Sequence, residues 1–366
     1  MKFTKKHSLW HYVHLDTYLF LGVILLIAMG LVILYSASSQ SHVIIGQQIL
    51  HISIAFAVML LFAQVPPRLY QSLAGWLYGI GVLLLIAVLL VGHTGKGAER
   101  WLNLGIVRFQ PSEIMKLALP LFLASYFHKM HLPLNNRSVV LAIIIIFIPA
   151  LLVVKQPDQS TAVLLFIAGG SVLLLAGLSW RLLGSIVGLG VLSTPLLWYV
   201  MHDYQRQRVL TFLNPERDPL GASYHIIQSK IAIGSGGFFG KGWLNGTQSH
   251  LHFLPEHATD FIFAVCGEEF GFLGSVILIL IFMLITLRGL YITVHAQDTF
   301  SRLLAGSLTI TFFFSFFINM GMVTGILPVM GLPLPLVSYG GSSMVTLMAG
   351  LGILMSIQTH RKLLTT

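Results

Sequence analysis

The sequence predicts an all-α integral membrane protein: a bundle of about ten transmembrane helices in a single polytopic domain, 1–366, with a long extracytoplasmic loop at about 202–258 between helices seven and eight. Three observations predict it. Of the residues, 56% are hydrophobic and only 9% charged, whereas a soluble domain carries about a quarter charged residues. Apolar runs about as long as the 20 residues a bilayer requires recur along the chain. Lipid admits only helices or closed barrels, and these runs are too long and continuous for barrel strands.

The first run, 17–37, follows MKFTKKHSLWHYVHLD. It is span-long and lacks a small-residue cleavage site, so it reads as a transmembrane helix and not a signal peptide. Runs at 43–63 and 72–92 follow. The fourth, 111–128, opens with Pro111, suited to a first helical position, and Glu113 falls in its first turn, near the positive end of the dipole. After 138–154 comes 160–178, where Pro157 is expected to start the helix with Asp158 in its first turn, the plain alternative being a cap. The remaining runs are 183–201, 259–287, 303–325 and 339–359. Before the last, GLPLPLVSYGGSS (331–343) suggests a broken or re-entrant helix lining a cavity, or an ordinary loop. Within the long loop, 221–233 is weakly amphipathic, with Tyr224, Ile227 and Ile231 on one side, and is expected to lie flat in the interface. No internal repeat stands out.

Lys and Arg set the orientation. With the N-terminus inside, the short inner segments hold Lys2, Lys5, Lys6, Arg68, Lys129, Arg137, Arg181, Arg288, Arg302, Arg361 and Lys362. The short outer ones hold Lys96, Arg100, Arg108 and Lys155, and long loops count little. Both termini are therefore expected in the cytoplasm. The net charge of +9 is spread in short clusters between apolar runs, which is membrane topology and not a nucleic-acid surface. A lone cysteine, Cys266, excludes an internal disulfide. The acids favour the outer half, which points to a polar cavity open to the outside.

Within FLPEHATDFIFAVCGEEF, Asp260 stands above Ala264, Gly267 and Gly271 if the helix is continuous. Such small residues let a neighbouring helix approach or leave room for a cavity. An ionisable group there is a functional candidate; the plain alternative is a helix cap at Thr259 or Asp260. Glu113 and Lys116 lie within reach of one another, either as a structural pair or as a substrate contact. Arg206 and Arg208, just past the seventh run, suit phosphate oxygens, and Arg100 beside Trp101 lies at an interface. If the starts at Glu113, Asp158 and Asp260 converge, they ring one site. GSGGFFGKG lacks the residues of a phosphate loop at 235 and 242, which excludes that nucleotide-binding motif. His250, His252 and His257 lack diagnostic metal spacing.

The segments KGAERWLNLGIVRFQPSEIMK, QPDQSTA, MHDYQRQRV, DPLGASYHIIQSKIAIGSGGFFGKGW, FLPEHATDFIFAV, EEFGFLG, GILPVMGLPLPLVSYGGSS and HRK together resemble the SEDS family (shape, elongation, division and sporulation). The resemblance runs from about the first span to the C-terminus. It implies a peptidoglycan glycosyltransferase of the inner membrane, joining lipid II into β-1,4 glycan at the periplasmic face during elongation and releasing polyprenyl diphosphate. Asp260 would be the catalytic base. Arg206, Arg208, Lys116, Glu113, Arg100 and Asp158 would contact substrate, and a class B penicillin-binding protein, a transpeptidase, would be the partner. No cofactor or metal site is called for, although a divalent cation stays open. A flippase of lipid-linked precursor is the alternative reading; acids gathered mainly on the outer face favour the enzyme.

Overall fold

The computed structural model describes residues 14–91, 93–95, 98–103, 108–130, 135–201, 203–214, 224–250 and 256–361. Each of the ten apolar runs coincides with a helix: α1 Thr17–Ala37, α2 His42–Gln64, α3 Pro67–Val91, α4 Pro111–His128, α5 Asn136–Lys155, α6 Gln159–Leu175, α7 Trp180–Val200, α11 Ile262–Val294, α12 Thr299–Val323 and α13 Ser342–Thr359. Among the described residues, seven helices are long and apolar enough to cross a membrane: α1, α2, α3, α5, α11, α12 and α13. Between α3 and α4 a small antiparallel sheet forms from β1 (His93–Gly95), β2 (Ala98–Asn103) and β3 (Arg108–Phe109). The 202–258 segment is partly helical, with α8 Asp203–Leu213, α9 Tyr224–Gly236 and α10 Thr247–His250.

Short polar side chains cap the starts. Asp16, Ser41, Asn135, Asp158 and Asp298 each accept a backbone N–H three residues on, which satisfies a donor the helix cannot. The most buried span is α12, which packs on α4, α6, α11 and α13. Lipid supplies no hydrophobic drive between helices, so close contact carries the packing. A Cβ on Gly289 of α11 would meet Thr309 of α12 at 2.4 Å, and one on Gly352 of α13 would meet the Met59 carbonyl of α2 at 2.5 Å. At the end of the bundle that holds both ends of the described chain, the Arg288 guanidinium grips Asp16 through Nε–Oδ1 (3.0 Å) and Nη2–Oδ2 (2.6 Å). His14 stacks on His360 beside it, with centroids 4.0 Å apart. These contacts tie both ends of the described chain to α11.

The eighth span differs from the sequence expectation. It starts at Ile262, not 259, and breaks at Gly271 (φ 64, ψ −157), a region essentially only glycine adopts. The turn after α9 repairs the break. Phe272 and Leu273 donate their N–H groups to the carbonyls of Gly237 (2.9 Å) and Phe238 (3.1 Å). Lys241 and Gly242 donate theirs to Glu268 (3.0 Å) and Glu269 (3.1 Å). Backbone freed in an apolar setting must find such partners. The fit leaves no room: a Cβ on Gly240 would lie 2.1 Å from the Glu269 carbonyl. The glycine-rich stretch is thus a splice onto a broken helix.

Of the two readings of 331–343, the ordinary loop holds and the broken or re-entrant helix is corrected: residues 326–341 form a loop with Leu332, Leu334, Leu336, Val337 and Ser338 buried. α9 packs on α11, with Ile233 against Gly267 and Gly236 so close that a Cβ there would meet the Gly267 carbonyl, while Ile226, Ser229 and Ala232 are also buried and Ile231 is exposed.

Candidate active site

Asp260 lies in the turn that enters α11, half-buried. It does not cap the helix. Phe261 holds the N-cap position with no side-chain cap, and the Thr259 hydroxyl donates to Glu256 Oε2 (2.7 Å). The cap reading of Thr259 and Asp260 is therefore overturned, and with it the continuous stripe drawn from Asp260 on a helix starting at 259. Gly267, within that stripe, does let a neighbouring helix approach: Ile233 of α9 lies 3.1 Å from where its Cβ would be.

What places Asp260 is the buried loop. Asn319 of α12 donates through Nδ2 to the carbonyls of Asp260 (2.8 Å) and Leu332 (2.5 Å). Ser338 donates through Oγ to the Thr259 carbonyl (2.5 Å) and accepts the Leu334 N–H (2.7 Å). Tyr339 donates its N–H to the Ala258 carbonyl (2.9 Å), and Gln48 of α2 donates to the Ser338 carbonyl (3.3 Å). Three consecutive carbonyls, 258 to 260, are thus held from α12 and the loop. The carboxylate packs beside Gly331, whose Cβ would sit 3.4 Å from Asp260 Oδ2. On the other side, His225 of α9 stacks on Phe261, with centroids 5.7 Å apart and planes 18° apart. Sequence reasoning missed Asn319, Ser338, Gln48 and His225.

The starts of α4 and α6 do converge. Asp158 is the N-cap of α6 and not a first-turn residue; its oxygens accept from Thr161 N (3.3 Å), Ser160 Oγ (2.9 Å) and Gln110 Nε2 (2.9 Å). Gln110 is the N-cap residue of α4, so one carboxylate joins two helix starts. One turn into α4, Lys116 Nζ lies 2.8 Å from Glu113 Oε1 and 2.7 Å from Oε2. Lys116 also lines a cleft of about 40 Å³ between α4, α12 and α13, together with Thr311, Ser315 and Thr346 over leucines. Leu332 packs against Leu164 of α6, which links this junction to the loop holding Asp260.

The remaining candidates stand apart. Arg206 donates through Nε and Nη2 to the carbonyls of Trp198 and Tyr199, both at 2.8 Å, closing the C-terminal end of α7. Arg208 is exposed on α8. Arg100 falls on β2, where the structure describes the backbone only. Glu268, fully buried, is consumed by Lys241 (2.7 Å), Thr247 and the Gln248 N–H; the Ser36 hydroxyl donates to Glu269. Both therefore brace the α11 break. His252 lies outside the described residues, and among the described residues no three His, Cys, Asp or Glu side chains group as metal ligands do.

Fold and site together define a class: a multi-span helical membrane protein with a carboxylate held at one end of its bundle and cations on neighbouring helices. The family model described as "Cell cycle protein" (FTSW_RODA_SPOVE) matches residues 12–363, and the chain belongs to that family, the SEDS family. It is 52% identical over 361 residues to "Peptidoglycan glycosyltransferase MrdB" of Escherichia coli strain K12, covering 98% of each chain. It is 37% identical to "Probable peptidoglycan glycosyltransferase FtsW" of Trichlorobacter lovleyi, over 95% of this chain and 94% of that one. Among solved structures it is similar to a chain from a study of how a peptidoglycan synthase complex coordinates polymerization and crosslinking (TM-score 0.84, 32% identity, 94% and 97% covered). It is also similar to the rod shape determining protein RodA of Thermus thermophilus (TM-score 0.73, 28% identity, 95% and 98% covered).

Proposed function

We propose that this chain is a peptidoglycan glycosyltransferase that polymerises lipid II at the outer face of the cytoplasmic membrane during elongation, beside a class B penicillin-binding protein. Relatives so named across nearly its whole length support the activity, and a similar chain from a synthase complex supports the partner. The observation that carries the chemistry is the Asp260 turn: its backbone is fixed by Asn319 and Ser338, while its carboxylate is spared the capping role.

In the proposed reaction Asp260 takes the proton of the acceptor sugar's 4-hydroxyl, directly or through one water. The freed oxygen attacks C1 of the donor sugar and inverts it. The C1–oxygen bond to the diphosphate breaks, and polyprenyl diphosphate leaves with that electron pair. Developing negative charge is best met by cations fixed beforehand. Lys116, oriented by Glu113, is one such cation; Arg208, exposed on α8, and Arg100, on β2, serve as further phosphate contacts once substrate is bound. Arg206 serves by closing the α7 end, and Asp158 by joining α4 to α6. The lipid tail stays in the bilayer, which accounts for an enzyme made of membrane spans. Both termini lie in the cytoplasm in this reading, and the Asp260 end faces the periplasm.

The test uses purified chain in proteoliposomes with lipid II and the transpeptidase. Glycan product supports the enzyme, and its persistence in EDTA would show that no divalent cation is required. Transfer of lipid II between leaflets without any glycan product would favour the flippase instead.

A further inference from the structure

We infer that His225 contacts the sugar substrate beside Asp260, offering a ring nitrogen to one of its hydroxyl groups. The inference rests on the proposed polymerase reading and adds a residue to it. His225 lies flat against Phe261, the residue after Asp260, so its ring has a set position relative to the carboxylate turn. It cannot swing away easily. One turn on, Ser229 Oγ donates to the Val323 carbonyl at 2.8 Å, and the Ile226 side chain lies 3.4 Å from a Cβ placed on Gly325. α9 is thereby pinned to the end of α12.

His225 Nδ1 is buried and has no hydrogen-bond partner among the described residues. Native proteins rarely leave such an atom unused, and one left so asks for a ligand or a role. Among the described residues, Phe261 and Tyr224 offer it ring faces and edges, and Glu256 acts on the ring by its charge without a hydrogen bond to Nδ1. Burial pushes the imidazole below its usual range, partly opposed by the charge of Glu256. The ring is then neutral at physiological pH, with one nitrogen to donate and one to accept. A sugar alcohol brought to Asp260 for deprotonation carries neighbouring hydroxyls that match either nitrogen.

Lipid II polymerisation by the full chain with its transpeptidase is measured for wild type, H225F, H225Q and D260N. H225F keeps a stacking ring but no nitrogen; H225Q restores hydrogen-bonding atoms. H225F is expected to raise KM for lipid II about tenfold with kcat within about twofold, and H225Q to recover most of the loss. H225L repeats the comparison should H225F melt early. A KM for H225F within about twofold of wild type overturns the contact, as does equal impairment of H225F and H225Q, the mark of a packing role. If D260N is inactive while H225F behaves as wild type, this inference alone falls. If wild type makes no glycan, the polymerase reading falls and takes this inference with it.

Discussion

Asn319 and Asp260 differ in how openly the sequence displays them. A carboxylate at the mouth of an apolar run stands out, because ionisable groups at membrane depth are costly. An amide inside TFFFSFFINMGMV does not, since nothing in its spacing says that it will hold two carbonyls of distant segments. Asn319→Ala leaves both carbonyls without that donor, at about 1–3 kcal/mol for each one left unsatisfied. A lowered melting temperature is expected, with a fall in kcat exceeding that of substitutions on the outer surface; thermal melts and glycan assays check both. His225 adds a pH signature. Its folded pKa is depressed by burial against the opposing pull of Glu256, so the unfolded chain, titrating near about 6.5, binds the proton first. Stability is complete above that pH and declines as pH falls through it; H225Q removes this part of the decline in melts taken across pH 5 to 8, about the range where histidine titrates.

Helices were the most legible elements. Every apolar run became one, because span length and the demand for internal hydrogen bonds leave little choice. The break at Gly271 was not legible: a glycine that admits a neighbouring helix and one that breaks its own helix look alike in sequence. The structure gives Gly271 both properties, with φ 64 and a would-be Cβ 2.3 Å from Gly240 N. Gly271→Ala is therefore expected to cost at least about 1–3 kcal/mol from the backbone region alone. Detergent-solubilised protein should show it as a lower melting point and faster proteolysis in the 237–242 turn. Asp158 was legible as an acid at a helix start, and of its two readings, first turn or cap, the cap holds. Its job is the N-cap of α6 and the link to Gln110. Asp158→Ala should cost about 0.5–2 kcal/mol for the cap, whereas Asp158→Asn, still a capping side chain, should melt closer to wild type.

The whole molecule holds the Asp260 turn at one end of the bundle and an Arg288–Asp16 clasp at the other. The asymmetry was readable from where the acids fall; the convergence of α4, α6 and the 326–341 loop was not, because those contacts join residues far apart in the chain. The proposed orientation is open to labelling. Cys266 is buried, so cysteines introduced at exposed positions should dominate the signal. Asn214→Cys should react with a membrane-impermeant maleimide added outside spheroplasts, and Gln297→Cys only after lysis. The proposal depends above all on Asp260 acting as base in a turn that other residues build. The most direct measurement is single-turnover glycan formation from lipid II by folded Asp260→Asn at saturating substrate. The account predicts a rate lower by roughly 10²–10⁴-fold, the usual worth of a general base, with lipid II binding retained; a rate within about threefold of wild type would contradict it.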